Sequence, residues 1–370
     1  MIPRRATRTA SRDEGARVLT PRAPSSPSSA GRSTCFAASA AFVVLAVFSL
    51  LSACGGGRSG PLAYVSNERD GTITVINLAN NQVVSTIKVG ARTRGIRLSP
   101  DHKTVYVAAS YPYQRGKGAV EAHVNKIVAV DVASDKVIAT YDAGEDPENF
   151  VVNADGTRFY IADEDAGEAS IVDAKAGKIL SSLVVGAEPE GVAISPDGRW
   201  VYVTSESSST VSVIDTGTGQ LVKTFLVGAR PRDAIFTPDG SRAFVSAENG
   251  GTISVVDTNG HTVVGTVRLP GAGTQEMKPK GMALSPDARR LYVATGRGNS
   301  VAVLDTGGMK LLTLIPVGQR PWGIAITPDG KRLYAANGLS NDVSVVDTDT
   351  NQVVATVKAG DGPWGVVIKP

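Results

Sequence analysis

The sequence predicts an all-β fold: a seven-bladed β-propeller closed by pairing of the C-terminal strand with the N-terminal blade. Three observations predict it. An aromatic residue recurs at Tyr64, Tyr106, Tyr160, Tyr202, Phe244, Tyr292 and Tyr334, with spacings of 42, 54, 42, 42, 48 and 42 residues. A repeat of roughly 40–45 residues is the length of a four-stranded propeller blade. Within each unit lie four short runs rich in Val, Ile, Thr, Tyr and Ala, such as GIAIT, RLYAAN, DVSVVD and QVVATVKAG, bounded by Gly, Pro, Asn or Asp. Runs of that length and punctuation read as antiparallel strands and tight turns. Finally, the repeats start at a second strand, Leu62-Ala63-Tyr64-Val65, and end on an extra first strand, Trp364-Gly365-Val366-Val367-Ile368. Joining the two closes the ring and leaves no long free sheet edge.

In chain order, residues 1–53 read as a signal peptide of lipoprotein type with a long n-region. They hold seven Arg against Asp13 and Glu14, a charge of +5. The remainder has 31 basic and 33 acidic residues, a net of −2. The overall +3 therefore belongs to the leader, and a nucleic-acid partner has no charge basis in the repeats. Residues 36–51 form a continuous apolar run, the h-region of an export signal, too short to span a bilayer as a helix. It ends in Leu51-Ser52-Ala53-Cys54, followed by three Gly, which resembles a bacterial lipobox. That resemblance implies acylation of Cys54, a Gly-rich tether over 54–61, and membrane attachment on the periplasmic side, the outer membrane favoured. Cys35 and Cys54 are the only cysteines, so the repeats can hold no disulfide, Cys-based zinc site or c-type haem motif.

The propeller is expected over 62–370. Each unit has two turn signals. Ser/Thr-Pro-Asp-Gly (195–198, 237–240, 327–330 and variants) suits a type I turn between the first and second strands. Asp-Thr-x-x-x-Gln (215–220, 347–352) suits a hairpin between the third and fourth, its Asp bonding the backbone two residues on. These turns account for the abundance of Asp without calcium, and no metal site is expected. Two insertions, within 109–125 and 271–280, fall in loop types that share the opposite face. Loops that grow on one face of a regular scaffold mark the working face.

Functional candidates come from positions where the repeats disagree. After the Pro of each Gly-x-x-Pro approach to a first strand stand Arg94, Glu148, Glu190, Arg232, Lys280, Trp322 and Trp364. Arg320 precedes one such Pro, and Glu68, Glu164, Glu206 and Glu248 end second strands. Together they form a rim at the channel mouth with acidic and basic arcs and two tryptophans. Such a rim is a socket for a small anionic or aromatic ligand or for a partner's loop, or else a ring of acids and bases pairing with one another.

The phrases YVSNERDGTITVIN, GAEPEGVAISPDGRWVYVTSE, VGQRPWGIAITPDGKRLYAANGLSNDVSVVD and DGPWGVVI resemble the YVTN-repeat β-propellers. They look most like the seven-repeat proteins associated with pyrroloquinoline-quinone (PQQ)-dependent catabolism. That resemblance implies a periplasm-facing accessory protein without a cofactor of its own. No Gly-x-Ser-x-Gly elbow or nucleophile–base–acid set is visible on the rim. The expectation is therefore a membrane-tethered, non-catalytic binding or scaffold propeller. The alternative is a propeller-type lactonase or hydrolase acting on a small sugar acid, for which a rim of Glu and Arg supplies acid–base groups. A quinoprotein dehydrogenase is disfavoured, since the eight-bladed, tryptophan-docking pattern is absent.

Overall fold

The computed structural model describes residues 60–90, 92–111, 124–271 and 276–370. The leader, Cys54 and most of the tether lie outside the described residues, as does the centre of each insertion. Twenty-eight strands build seven four-stranded antiparallel sheets. Numbering blades along the chain, blade 4 shows the plan: Pro189–Ile194, Trp200–Ser205, Thr210–Asp215 and Gln220–Leu226, from the axis outward. Blade 1 is assembled from both ends, with Pro363–Lys369 innermost against Leu62–Asn67 and in register Ala63↔Ile368, Tyr64↔Val367, Val65↔Val366. The expected closure is what forms.

Burial follows the radial order. Second and third strands are buried on both faces because a blade packs on each side, which is why they read as continuous apolar runs. Fourth strands alternate exposed and half-buried residues, as a solvated outer edge requires. The repeat aromatic is the wedge between blades. Tyr64, Tyr160, Tyr202, Tyr292, Tyr334 and Phe244 are all fully buried, each worth roughly 1.5–3 kcal/mol of apolar burial. Some also bond the next blade: the Tyr334 hydroxyl donates to Asn81 Oδ1 at 3.1 Å, and the Tyr202 hydroxyl lies 2.7 Å from His261 Nδ1.

The turn aspartates bond locally. Asp197 accepts from the Ser195 hydroxyl at 2.5 Å and from the Arg199 N–H at 3.1 Å. Gly198 then takes φ +74°, a conformation that L side chains rarely adopt. In the hairpin turns Asp347 accepts from the Asp349 N–H two residues on at 3.1 Å and from the Thr350 N–H three residues on at 2.8 Å, and Asp215 accepts from the Thr218 N–H at 2.9 Å.

Candidate functional site

The seven innermost strands surround the axis, and their first residues form a plug rather than an open rim. Arg94 and Lys280 are 1% exposed, Glu148 and Glu190 4%, Arg232 and Trp364 9%; Trp322 is half-buried. Charges there are paired, as buried charges must be. On blades 1 to 3, Arg94 contacts Glu68, Asp146, Glu148 and Glu164, while Arg92 Nη2 lies 2.6 Å from Glu68. On blades 4 to 6, Arg232 meets Glu190 at 2.9 Å, Glu248 at 2.6 Å and Glu206; Arg230 reaches Glu206 at 2.7 Å. Lys280 Nζ lies 3.0 Å from Glu248 and 3.5 Å above the Trp322 ring. Trp322 stacks on Trp364 at 5.9 Å, with Arg320 5.0 Å over its ring. Every rim residue named from the sequence thus enters one of two sets of contacts, one centred on Arg94 and the other on Arg232, Lys280 and Trp322.

The carboxylates of Asp146, Glu148 and Glu164 converge closely enough to share a cation. The guanidinium of Arg94 lies among them and supplies that positive charge itself.

One residue further along, five blades have glycine: Gly95, Gly191, Gly281, Gly323 and Gly365. A Cβ on Gly281 would sit 2.6 Å from the Trp322 carbonyl oxygen, and one on Gly323 2.6 Å from that of Trp364. Neighbouring innermost strands meet here backbone to backbone, and the Gly281 N–H donates to the Trp322 carbonyl at 3.0 Å. The exceptions at this level are Asn149 and Asp233. Asp233 accepts from the Met282 N–H of the next blade and from the Ala234 N–H, both at 2.9 Å. Sequence reasoning missed Asp233, although an acid where five repeats carry glycine was a readable signal.

Beyond this level lies a cavity of about 370 Å³, walled by Glu190, Arg232, Asp233, Lys280, Trp322 and Trp364 at the plug end. Arg97, Asn149, Pro196 and the apolar residues of the innermost strands form the rest. Val192 and Ile96 near the plug are 1% exposed, whereas Ile194, Leu98 and Ile326 further along are half-buried. The channel therefore opens toward the Ser/Thr-Pro-Asp-Gly turns, one of which contributes Pro196 to the wall. That is the face opposite the described ends of the insertions, 109–111, 124–125 and 276–280, where the working side was expected.

Burial sets the protonation states. It raises Asp233 to about 6, against the opposing pull of Arg97. It lowers Lys280 to about 7, helped by repulsion from Arg232 and resisted by Glu248. Burial opposes the charge on Arg232, but Glu190 and Glu248 outweigh it and hold the guanidinium above its ordinary value. Glu164 is pushed up to about 8 by burial and by Glu190 and Asp146. Despite burial, Lys280 and Arg232 hold Glu248 down to about 2. A weak base, a weak acid and a fixed cation thus share one pocket wall.

The family described as a lactonase, seven-bladed β-propeller matches residues 12–182 and 222–369. The chain belongs to this lactonase family. Solved structures agree on the fold of this lactonase-family propeller. A hydrazine synthase of Kuenenia stuttgartiensis superposes with a TM-score of 0.65 at 22% identity, over 75% of this chain and 89% of that one. Proteins provisionally described as 6-phosphogluconolactonases from Bacteroides fragilis (TM-score 0.68, 20% identity) and Bacteroides uniformis (0.67, 18%) each align over 84% of this chain and 99% of theirs. No curated protein matches the sequence significantly.

Family membership corrects the functional expectation. A non-catalytic scaffold without enzymatic activity was expected, and a lactonase family favours the alternative, a propeller hydrolase. The reason for the error is physical. A hydrolase needs no nucleophile–base–acid set: water can open a lactone with a carboxylate as base, a proton donor for the ring oxygen and a cation beside the oxyanion. Asp233, Lys280 and Arg232 are those three types, and the first of them lay one residue past the positions considered.

Proposed function

We propose that the protein is a lactone hydrolase working in the axial cavity, with Asp233 as general base. The observation that carries this reading is Asp233 itself, a carboxylate raised to about 6 at a level where five of the other six blades have glycine and the sixth Asn149. Asp233 takes a proton from water as the oxygen attacks the lactone carbonyl. Arg232, held charged by its carboxylates, stabilises the oxyanion. The acyl–oxygen bond then breaks, and Lys280 gives its proton to the departing ring oxygen, leaving a hydroxy acid. The base must be ionised and the acid protonated. Consequently kcat/KM falls as pH drops below about 6 and again as it rises above about 7. Asp233→Asn lowers kcat/KM ~10²–10⁴-fold, the usual worth of a general base, and removes the acidic limb. Ring opening followed by proton release in weak buffer checks this; undiminished turnover in Asp233→Asn ends the assignment.

We also propose that the enzyme is exported and tethered to a membrane through acylated Cys54. The support is the apolar run at 36–51 leading into Leu-Ser-Ala-Cys. At the same level stands the resemblance of its repeats to YVTN propellers of PQQ-dependent catabolism. Cys54→Ser is expected to move the protein from the membrane to the soluble fraction on cell lysis, and continued sedimentation with membranes excludes the anchor.

A further inference from the structure

We propose that Glu248, which does not line the cavity, is a positioning residue for the hydrolysis: it keeps the Lys280 ammonium charged and seated at the cavity wall beside Arg232, ready to give its proton to the departing ring oxygen. This rests on the lactone-hydrolase reading and adds a residue to it.

Lys280 is under two pressures to lose its proton. It is buried, and the guanidinium of Arg232 on blade 5 repels it. An amine without that proton cannot protonate an alkoxide. The charged groups bearing on its Nζ are Arg232 and Glu248 of blade 5 and Glu190 of blade 4, with the Trp322 ring of blade 7 on a further side. Among the described residues, only Glu248 brings a carboxylate oxygen within 4.0 Å of Nζ, at 3.0 Å. Glu190 acts from further away and makes its contact with Arg232, at 2.9 Å. Glu206 touches Arg230 and Arg232 but not Lys280.

One oxygen of Glu248 serves three cations. Its Oε2 lies 2.6 Å from Arg232 Nε, 3.0 Å from Lys280 Nζ and 3.4 Å from Arg230 Nε. The backbone fixes it there. Glu248 directly follows the strand Arg242–Ala247, and its N–H donates to the Arg230 carbonyl at 2.8 Å. Lys280 is held from the other side: its N–H donates to the Ala294 carbonyl at 2.8 Å, and a Cβ on Gly296 would fall 3.1 Å from its Cε. The stem therefore has little room to swing away from the carboxylate.

Arg232 and Lys280 line the cavity and Glu248 does not, so the carboxylate backs both cations without competing for the substrate. From there it offsets part of the burial and repulsion, and Lys280 keeps its proton up to about 7. Glu248 is itself held down to about 2, so it stays ionised wherever the enzyme works. The same oxygen also fixes the spacing of the two cations, setting the oxyanion-stabilising group and the proton donor side by side.

The first measurement needs no substrate. In full-length protein carrying 13C-labelled lysine, the Cε resonance of Lys280, identified by its loss in Lys280→Met, is expected to titrate with a midpoint near 7. In Glu248→Gln the midpoint falls by roughly 1–3 pH units, the usual effect of removing an opposite charge in contact. In Glu206→Gln it stays in place. Glu248→Asp, the milder variant should the glutamine fail to fold, moves it in the same direction by less. The second measurement uses dihydrocoumarin and glucono-δ-lactone, taking whichever the wild type opens faster. At pH 8, kcat/KM of Glu248→Gln falls about tenfold for each pH unit of displacement, and at pH 5, where Lys280 holds its proton more fully, by far less. An unmoved Lys280 midpoint, or an equal loss at the two pH values, makes Glu248 a strut of the plug and overturns the proposal. Undiminished turnover in Asp233→Asn, with the Lys280 midpoint displaced by Glu248→Gln, ends the general-base assignment and leaves Glu248 as the residue that holds the proton donor. If the wild type opens neither lactone, the hydrolase reading falls and this role falls with it, whatever the midpoint does.

Discussion

At the scale of single residues, a buried carboxyl away from the cavity has its own signature. Asp163 ends the second strand of blade 3, fully buried, accepting from the Ser170 hydroxyl at 2.6 Å and the Gly144 N–H at 3.0 Å. Gly144 packs so closely on it that a Cβ would fall 2.3 Å from its Cγ. Burial pushes Asp163 to about 7 against an ordinary value of 3.8. A carboxyl raised on folding retains a proton that the unfolded chain releases. Its contribution to stability is therefore complete below about 4 and lost as pH rises toward about 7. Two other blades place Asn67 and Asn337 at the equivalent position, each donating to neighbouring oxygens. Asp163→Asn should thus fit, and should stabilise the protein on the order of 2 kcal/mol at pH 8 and hardly at pH 4. Urea unfolding at both pH values measures this, and an equal effect at the two would show that Asp163 is not protonated in the fold.

At the scale of the strand and the turn, much of the structure was legible because the same physical demand recurs seven times. A middle strand packed by blades on both sides must be apolar throughout, and an aromatic at one register fills each wedge. Those demands print a period on the sequence. Closure was legible for the same reason, since Leu62–Asn67 lacks an inner neighbour and Pro363–Lys369 lacks an outer one. The site was legible only in part. Variation after each Pro exposed Arg94, Glu148, Glu190, Arg232, Lys280, Trp322 and Trp364, but not that they lie inside the channel. Depth depends on how closely the innermost strands converge, and that is set by the glycine level beneath them. The strand alternation of the first strands also hid Asp233 and Arg97, because a half-lined channel tolerates either apolar or polar residues at successive positions. Loop length misled for a similar reason. The described ends of the insertions, 109–111, 124–125 and 276–280, lie on the plugged face, whereas the cavity opens past the short turns that repeat without change.

At the scale of the whole ring, the plug is what ties the blades across the axis. Arg94 of blade 2 joins Glu68 of blade 1 to Asp146, Glu148 and Glu164 of blade 3, and it does not line the cavity. Its guanidinium is 1% exposed, so its charge is almost unscreened by solvent. A well-packed apolar replacement for a whole buried ion cluster can be neutral, but removal of the one central cation leaves several carboxylates uncompensated, at a cost of about 3–5 kcal/mol. Arg94→Met is therefore expected to destabilise the propeller by about that amount at pH 8. The loss should shrink at pH 5, because carboxylates deprived of a counter-charge take up protons more readily. Denaturant unfolding at the two pH values separates this from simple loss of packing, which would be the same at both. If the penalty is small at pH 8 as well, the arginine is not the tie between blades 1, 2 and 3, and the ring holds its shape through apolar wedges and strand closure alone.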